Sequence, residues 1–287
     1  MDVIYECALF VLGLVFGSFL NVCISRIPRG QSIASPGSHC PSCSASIHWR
    51  DNVPLLSWIF LRGRCRDCGA RISLRYPAVE LLIALLFAAT YAWFGPTWLT
   101  LKFCVFSFLM IGLLFMDAET GLLPREFTYT GIVLGLGFSL LAATDTWGTR
   151  VLFNAYGLHP SAPSVSLLDS ILGAGVGAGF FFLAAGLYFL FRKRQGMGGG
   201  DFALIAMSGA FLGLRLTLLV IFLAPLIATA YALVLIFRQV GGTGNTALSF
   251  NEMLQSREIP FGVFVSLSSL ATAFFGEAAL QWYLGFF

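Results

Sequence analysis

Charge is scarce in this chain. Acidic and basic residues occupy 11% of its 287 positions, where a soluble domain carries roughly 25%. There is too little polar surface to coat a globule of this length, which excludes the ordinary soluble classes. Histidine is nearly missing too, with only His39, His48 and His159, so a serine–histidine or cysteine–histidine nucleophile has little to draw on. No basic segment precedes the first apolar run. The start is acidic (Asp2, Glu6) and the first positive charges are Arg26 and Arg29. A secretory signal has the opposite order, so a retained first helix with its N-terminus outside is expected.

What is present is hydrophobic. Apolar residues make up 57% of the chain and the mean hydropathy is +0.84. The apolar runs are Cys7 to Ile24, Val79 to Phe94, Trp98 to Met116, Phe127 to Ala143, Leu167 to Phe191, Phe202 to Gly213, Leu216 to Phe237 and Phe261 to Leu284. Most are long enough to cross a hydrocarbon core of about 30 Å. The short Phe202 to Gly213 run is rich in small residues (Ala203, Ala206, Ser208, Gly209, Ala210, Gly213) that suit close helix packing in lipid. The pattern predicts an all-α polytopic membrane protein with about eight transmembrane helices and a cytoplasmic zinc-binding loop domain. No internal repeat stands out.

Positive charge orients the spans. With the N-terminus outside, the cytoplasmic connections hold Arg26, Arg29, Arg50, Arg62, Arg64, Arg66, Arg71, Arg75, Arg125, Arg192, Lys193, Arg194, Arg238 and Arg257, and the outer side keeps Lys102, Arg150 and Arg215. Fourteen against three obeys the positive-inside rule. The expected division is a first transmembrane helix (1–25), a cytoplasmic cysteine-bearing loop (26–78) and a transmembrane domain (79–287). Asp145 to Ser166 is expected outside, and Gln239 to Ile259 is a cytoplasmic stretch with Gly241, Gly242 and Gly244 near its start.

Seven cysteines fall into two groups. Cys7, Cys23 and Cys104 lie in apolar runs and read as small core residues. Cys40-Pro-Ser-Cys43 and Cys65-Arg-Asp-Cys68 lie in the polar loop, separated by 21 residues. Two such knuckles nearly match the spacing of a structural zinc site. Four thiolates would close a tetrahedron around the metal and leave no position for substrate, so zinc here would staple a loop without a core of its own. Unmetallated thiols are the alternative, and disulfides are disfavoured in a reducing cytoplasm. His39 and His48, with four cysteines at hand, read as surface residues. The arginines near the cluster are explained by topology, and no nucleic acid partner is expected.

Two acids stand at span edges, where ionisable groups are costly and tend to be functional. Asp117 closes the third run in Met116-Asp117-Ala118-Glu119, and Asp201 opens the sixth after Gly196-Met197-Gly198-Gly199-Gly200. The predicted topology puts both at one face of the membrane. Asp201 has a bland reading as a helix N-cap, and Asp117 as a solvated loop carboxylate, although the helix C-terminus disfavours negative charge. The glycines do not read as a nucleotide loop, because no strand precedes them and no Lys-Ser/Thr follows. Gly196, Gly198, Gly199 and Gly200 instead permit close backbone approach by an extended peptide. If the two carboxylates meet, they share a proton. One then acts as base on a water while the other donates a hydrogen bond to a scissile carbonyl. A proton-relay transporter would carry its key acids at mid-membrane instead.

These residues resemble the prepilin peptidases, or type IV leader peptidases, membrane aspartic proteases of the GxGD group. The resemblance runs through Gly17-Ser-Phe-Leu-Asn21-Val with Arg26-Ile-Pro28, the two knuckles around Asn52-Val-Pro-Leu-Leu-Ser-Trp58, and Arg75-Tyr-Pro-Ala-Val-Glu80-Leu-Leu. It continues through Asp117 before Leu122-Leu123-Pro124, Gly198 to Asp201, and Ile259-Pro-Phe-Gly262. It implies Asp117 and Asp201 as the catalytic pair of an enzyme in the bacterial inner membrane. Its substrates would be type IV prepilins or pseudopilins, cut after a glycine on the cytoplasmic side. It further implies methylation of the new N-terminal amine with S-adenosylmethionine, with Asn21, Arg26 and Glu80 as candidate second-site residues. The chain departs from the family pattern at Ala203, where a lysine is usual, at Arg125, where an acid is common, and at Glu119, where an aspartate is common. Glu119 and Glu126 are candidate readers of positive charge in the leader. A non-catalytic membrane scaffold of a pilus or secretion apparatus, docking through the zinc loop, is the alternative.

Overall fold

The computed structural model describes residues 2–142, 161–193 and 197–285, the side chains of 238–240 and the segment 241–259 excepted. The described elements are helices joined by turns, and the only β pairing among them is two isolated bridges. The helices are α1 (Asp2–Arg26), α2 (Leu56–Phe60), α3 (Arg75–Phe94), α4 (Trp98–Thr120), α5 (Arg125–Leu141), α6 (Ala162–Arg192), α7 (Gly199–Val240) and α8 (Phe261–Leu284). Single 3-10 turns lie at Ile27–Arg29 and Trp49–Asp51. Six helices are long and apolar enough to cross a bilayer, namely α1, α3, α4, α6, α7 and α8. At 17 residues, α5 is about 26 Å long. Every apolar run coincides with a helix or half-helix, as an integral membrane protein requires, because helices satisfy their own backbone where no water is present.

The chain forms two compact units, Met1–Gly112 and Leu113–Phe287. In the first, α1 packs on α3 through glycines. A Cβ on Gly13 would lie 2.5 Å from the Ala84 Cα, and one on Gly17 would lie 2.6 Å from the Glu80 Cα. In the second, α7 is the hub, packing against α5, α6 and α8. Its first half carries the small residues singled out in the sequence. Gly209 faces Gly173 of α6 so closely that a Cβ would sit 2.3 Å from the Gly173 carbonyl carbon. On another side, Ser208 and Ser269 of α8 share a 2.9 Å hydrogen bond between buried hydroxyls. Without a hydrophobic drive between helices in lipid, such backbone proximity and buried hydrogen bonds hold the unit together.

The sixth and seventh apolar runs form one continuous rod broken at Gly213, which adopts φ 77°, ψ 176°. Only glycine takes that conformation without strain. The Thr217 hydroxyl donates to the Gly213 carbonyl (2.6 Å), and the buried Asp169 carboxylate of α6 lies against the Gly213 Cα. The Thr217 hydroxyl thus takes up a backbone carbonyl at the break, and such side-chain bonds are what let a membrane helix tolerate one.

Several expectations change. Cys7 is exposed, unlike Cys23 and Cys104, because the first turns of α1, residues 2–8, are little covered on any side. Lys102 lies inside α4 and is buried, not in an outer connection. Asp169 and Lys102 are buried ionisable residues within helices, away from the span edges that carry Asp117 and Asp201. The regions 143–160, 194–196 and 241–259 lie outside the described residues, and with them Arg150, His159, Arg194, Gly196, Arg257, Ile259 and most of both long late connections.

Gly209→Ala is expected to lower the stability of the purified protein by about 1–3 kcal/mol, the usual result of overpacking. Gly137→Ala, which meets nothing within 4 Å, should leave it nearly unchanged. Thermal unfolding in one detergent reads both.

Candidate active site

Asp117 lies in the last turn of α4, with the helix running on to Thr120. It is buried, with 5% of its surface exposed, so the solvated-loop reading is replaced. A carboxylate at a helix C-terminus needs donors from elsewhere, and α8 supplies them. The Val263 N–H donates to Asp117 Oδ2 at 3.0 Å, and the Gly262 N–H is also directed at the carboxylate. Pro260 opens α8 as its N-cap, and the Val263 N–H, which reaches the Pro260 carbonyl only at 3.3 Å, is shared with the acid, as first-turn N–H groups without a full helical partner can be. Gly262 is there for lack of room: a Cβ would lie 2.7 Å from Asp117 Oδ2 and 3.1 Å from the Leu123 Cδ1.

Asp201 sits in the first turn of α7, after Gly199 and Gly200. It is not the N-cap. Its Oδ2 accepts from the Gly198 N–H at 3.1 Å, while its own N–H donates to the Gly198 carbonyl at 3.2 Å. This is the half of a capping box in which the third helical residue reaches back to the cap. Asp201 and Asp117 stand close enough to interact coulombically. Leu123 lies between their supports, since a Cβ on Gly200 would meet the Leu123 Cβ at 2.8 Å and one on Gly262 would also meet Leu123. The three described glycines before Asp201 therefore differ. Gly200 is required by packing on Leu123, whereas a Cβ on Gly199 meets nothing and one on Gly198 meets only Asp201 Oδ2 at 3.7 Å. Gly196 lies outside the described residues.

The backbone donors of Gly262 and Val263 escaped the sequence reading, although Pro260-Phe261-Gly262 was visible as a motif. A proline followed by glycine at the mouth of a span is a helix start with close backbone approach, and that signal marks the place. Glu119 and Glu126 are both exposed.

The cysteine cluster is assembled in the first unit. Cys40, Cys43, Cys65 and Cys68 bring their four Sγ atoms within 4.8 Å of one another, while His39 and His48 are exposed. The knuckles are a structural repeat that inspection of the sequence missed. Cys40 N–H donates to the Ala45 carbonyl and the Cys40 carbonyl accepts from Ser44, just as Cys65 pairs with Ala70 and Gly69. Each knuckle closes with an antiparallel bridge, His39 to Ser46 and Arg64 to Arg71. Ser44 and Gly69 hold the same left-handed turn at φ 59° and 69°. An ion pair joins the knuckles' surroundings, with Arg66 Nε donating to Asp51 Oδ2 at 2.8 Å. The Arg66 guanidinium holds the Asp51 carboxyl below the usual carboxylate range.

The donor set fits a metal. The N–H groups of Cys43 and Ser42 pull the Cys40 thiol down to about 6. The Ala45 N–H acts the same way on Cys43, but the neighbouring Cys68 sulfur, desolvation, and Cys40 and Cys65 outweigh it and push Cys43 up to about 12. Four sulfurs this close cannot all lose their protons unaided, and a divalent cation at their centre removes the conflict.

The sequence is similar to known proteins along most of its length. The profile of the Bacterial Peptidase A24 N-terminal domain matches residues 11–94, and that of the Type IV leader peptidase family matches residues 104–233. A protein of Aeromonas hydrophila is 32% identical over 308 residues, covering 98% of this chain and 94% of its own length. One of Myxococcus xanthus is 38% identical over 223 residues, covering 78% of this chain and 61% of the relative. One of Neisseria gonorrhoeae is 34% identical over 249 residues, covering 78% and 80%. Each is named prepilin leader peptidase/N-methyltransferase. No solved structure matches the chain.

Elemental analysis of the purified protein is expected to find about one metal ion per chain, as four thiolates imply. Cys43→Ser should lose it and expose residues 38–72 to protease. Full metal content in that variant would remove the cluster as the ligand set.

Proposed function

The chain belongs to the type IV leader peptidase family, and on that footing we propose that it is an aspartic endopeptidase of the bacterial inner membrane. It cleaves the leaders of type IV prepilins and pseudopilins after a glycine at the cytoplasmic face, and it methylates the new N-terminus. The observation that carries the reading is the pair of membrane-edge carboxylates, Asp117 and Asp201, brought within coulombic reach from α4 and α7.

The supports suggest how the pair works. In each aspartate Oδ2 is held by backbone N–H, from Val263 for Asp117 and from Gly198 for Asp201. The oxygen lone pairs that these donors do not use would hold a water between the two acids. Two carboxylates that close on one water share one proton, and in that state the ionised one takes a proton from the water while the other donates to the scissile carbonyl. Titration would belong to the pair. The open space over Gly198 and Gly199 suits the backbone of an extended substrate. Ala203, two residues beyond Asp201, is half-buried and offers the substrate no cation there.

The cytoplasmic placement follows from the distribution of arginine and lysine, with the N-terminus outside. The metal in the four-cysteine loop (26–78) is assigned as structural zinc, since four thiolates leave no open position. The membrane domain (79–287) carries the peptidase pair. S-adenosylmethionine supplies the methyl group when bound. One observation fits a group rich in N–H: Asn21 Oδ1 is buried without a hydrogen-bond partner, while Asn21 Nδ2 donates to the Tyr76 carbonyl at 3.0 Å. An acceptor left in that state costs about 1–3 kcal/mol, which an amine would relieve.

Asp117→Asn and Asp201→Asn are each expected to lower leader cleavage by at least about a hundredfold, the lower range of general acid–base catalysis, with membrane insertion unchanged. Mass spectrometry of a prepilin incubated with the protein and S-adenosylmethionine reads the cut position and the added methyl together. An uncut substrate with wild-type protein would favour the scaffold, and full cleavage by either variant would sink the dyad.

A further inference from the structure

The four-cysteine loop carries an apolar face that its own fold does not cover. In α2, Leu56, Ile59 and Phe60 recur at the spacing of one helix face and are 53%, 60% and 80% exposed. The opposite side is tied inward, with the Trp58 indole donating to the Ile72 carbonyl at 3.3 Å. The neighbouring turn at Trp49–Asp51 adds Trp49, 85% exposed. It is held to α2 by Ser57, whose hydroxyl donates to the Arg50 carbonyl at 3.1 Å and accepts from the Val53 N–H at 2.9 Å. A cluster of this kind facing water is unusual and marks an interaction surface.

Two observations identify what meets it. The first is position. Glu80, buried in the second turn of the membrane helix α3, accepts the Leu55 N–H at 2.8 Å, and the Ser18 hydroxyl of α1 bonds the same carboxylate. Leu55 is drawn into φ 59°, a conformation strained for leucine. α2 starts at the next residue, so it is pinned within one hydrogen bond of the point where α1 and α3 leave the bilayer. The second is charge. Residues 26–78 contain eight arginines against Asp51 and Asp67, a net charge of +6, and Arg50 and Arg62 beside the apolar face are exposed.

We propose that α2 and the Trp49 turn form an interfacial anchor that lays the four-cysteine loop on the anionic phospholipid surface, with Leu56, Ile59, Phe60 and Trp49 at the acyl boundary and the arginines on headgroup phosphates. Apolar face, aromatic residues and flanking arginines are the make-up of a helix lying in the membrane plane. Glu80 is the latch that sets its depth. This inference rests on the chain spanning a membrane and not on the peptidase reading.

The test uses the full chain in nanodiscs of phosphatidylcholine with and without phosphatidylglycerol, with benzoylphenylalanine placed at Phe60 for photocross-linking. Adducts to lipid are expected, mainly phosphatidylglycerol in the mixed discs. Amide exchange over residues 56–60 should slow by at least about fivefold with phosphatidylglycerol, about what one arginine near an anionic surface supplies. Ile59→Ser with Phe60→Ser should abolish that slowing while keeping the metal. The cross-link decides the matter even if the double variant loses its fold. Adducts to an added prepilin or to a second copy, no adduct at all, or exchange indifferent to lipid would overturn the anchor.

Discussion

Two helix starts supply the backbone on which both site carboxylates rest. α7 begins at the glycines before Asp201 and α8 begins after Pro260. N–H groups at a helix start lack a full intrahelical partner, and each start turns one to an acid, Gly198 just before α7 to Asp201 and Val263 in the first turn of α8 to Asp117. The positive ends of two helix dipoles thereby converge on one spot at the membrane edge. An acid at the C-terminal end of α4 has no such support from its own helix, so Asp117 depends on α8 for its setting.

That convergence needs α7 and α8 to be held closely, and small residues do this. Ser208 is tied to Ser269 of α8 by a buried hydroxyl pair, and Gly209 against Gly173 brings α7 to near backbone contact with α6. The break at Gly213 divides α7 into a half that presents Asp201 and a half that continues through the apolar layer. Asp169 and Thr217 meet the exposed backbone at the break. The buried acid in α6 thus has a structural setting of its own, separate from the pair near Leu123.

The first unit follows a different logic. It has little core in its polar loop, so two matching knuckles, the Arg66–Asp51 pair and the Glu80 latch give the loop its shape. The left-handed turn of the second knuckle uses Gly69, and that of the first forces Ser44 into the same geometry. The repeat is faint in sequence because only the cysteines, the closing alanines and the isoleucines Ile47 and Ile72 are shared, while the equivalence lies in backbone hydrogen bonds.

The sequence alone determined the membrane class, the helix positions and the candidate residues. Apolar length, cysteine spacing and acids at span edges are local properties, and lipid allows few other folds for such segments. Tertiary structure alone decided which backbone groups hold Asp117, that Asp201 is a first-turn residue and not a cap, that Gly200 is needed for packing while Gly199 is open, and that Cys7 is exposed. Most of these depend on a neighbour distant in the chain, Val263 lying 146 positions from Asp117. Periodicity reports which residues share a helix face, but it carries no information on which helix that face will meet.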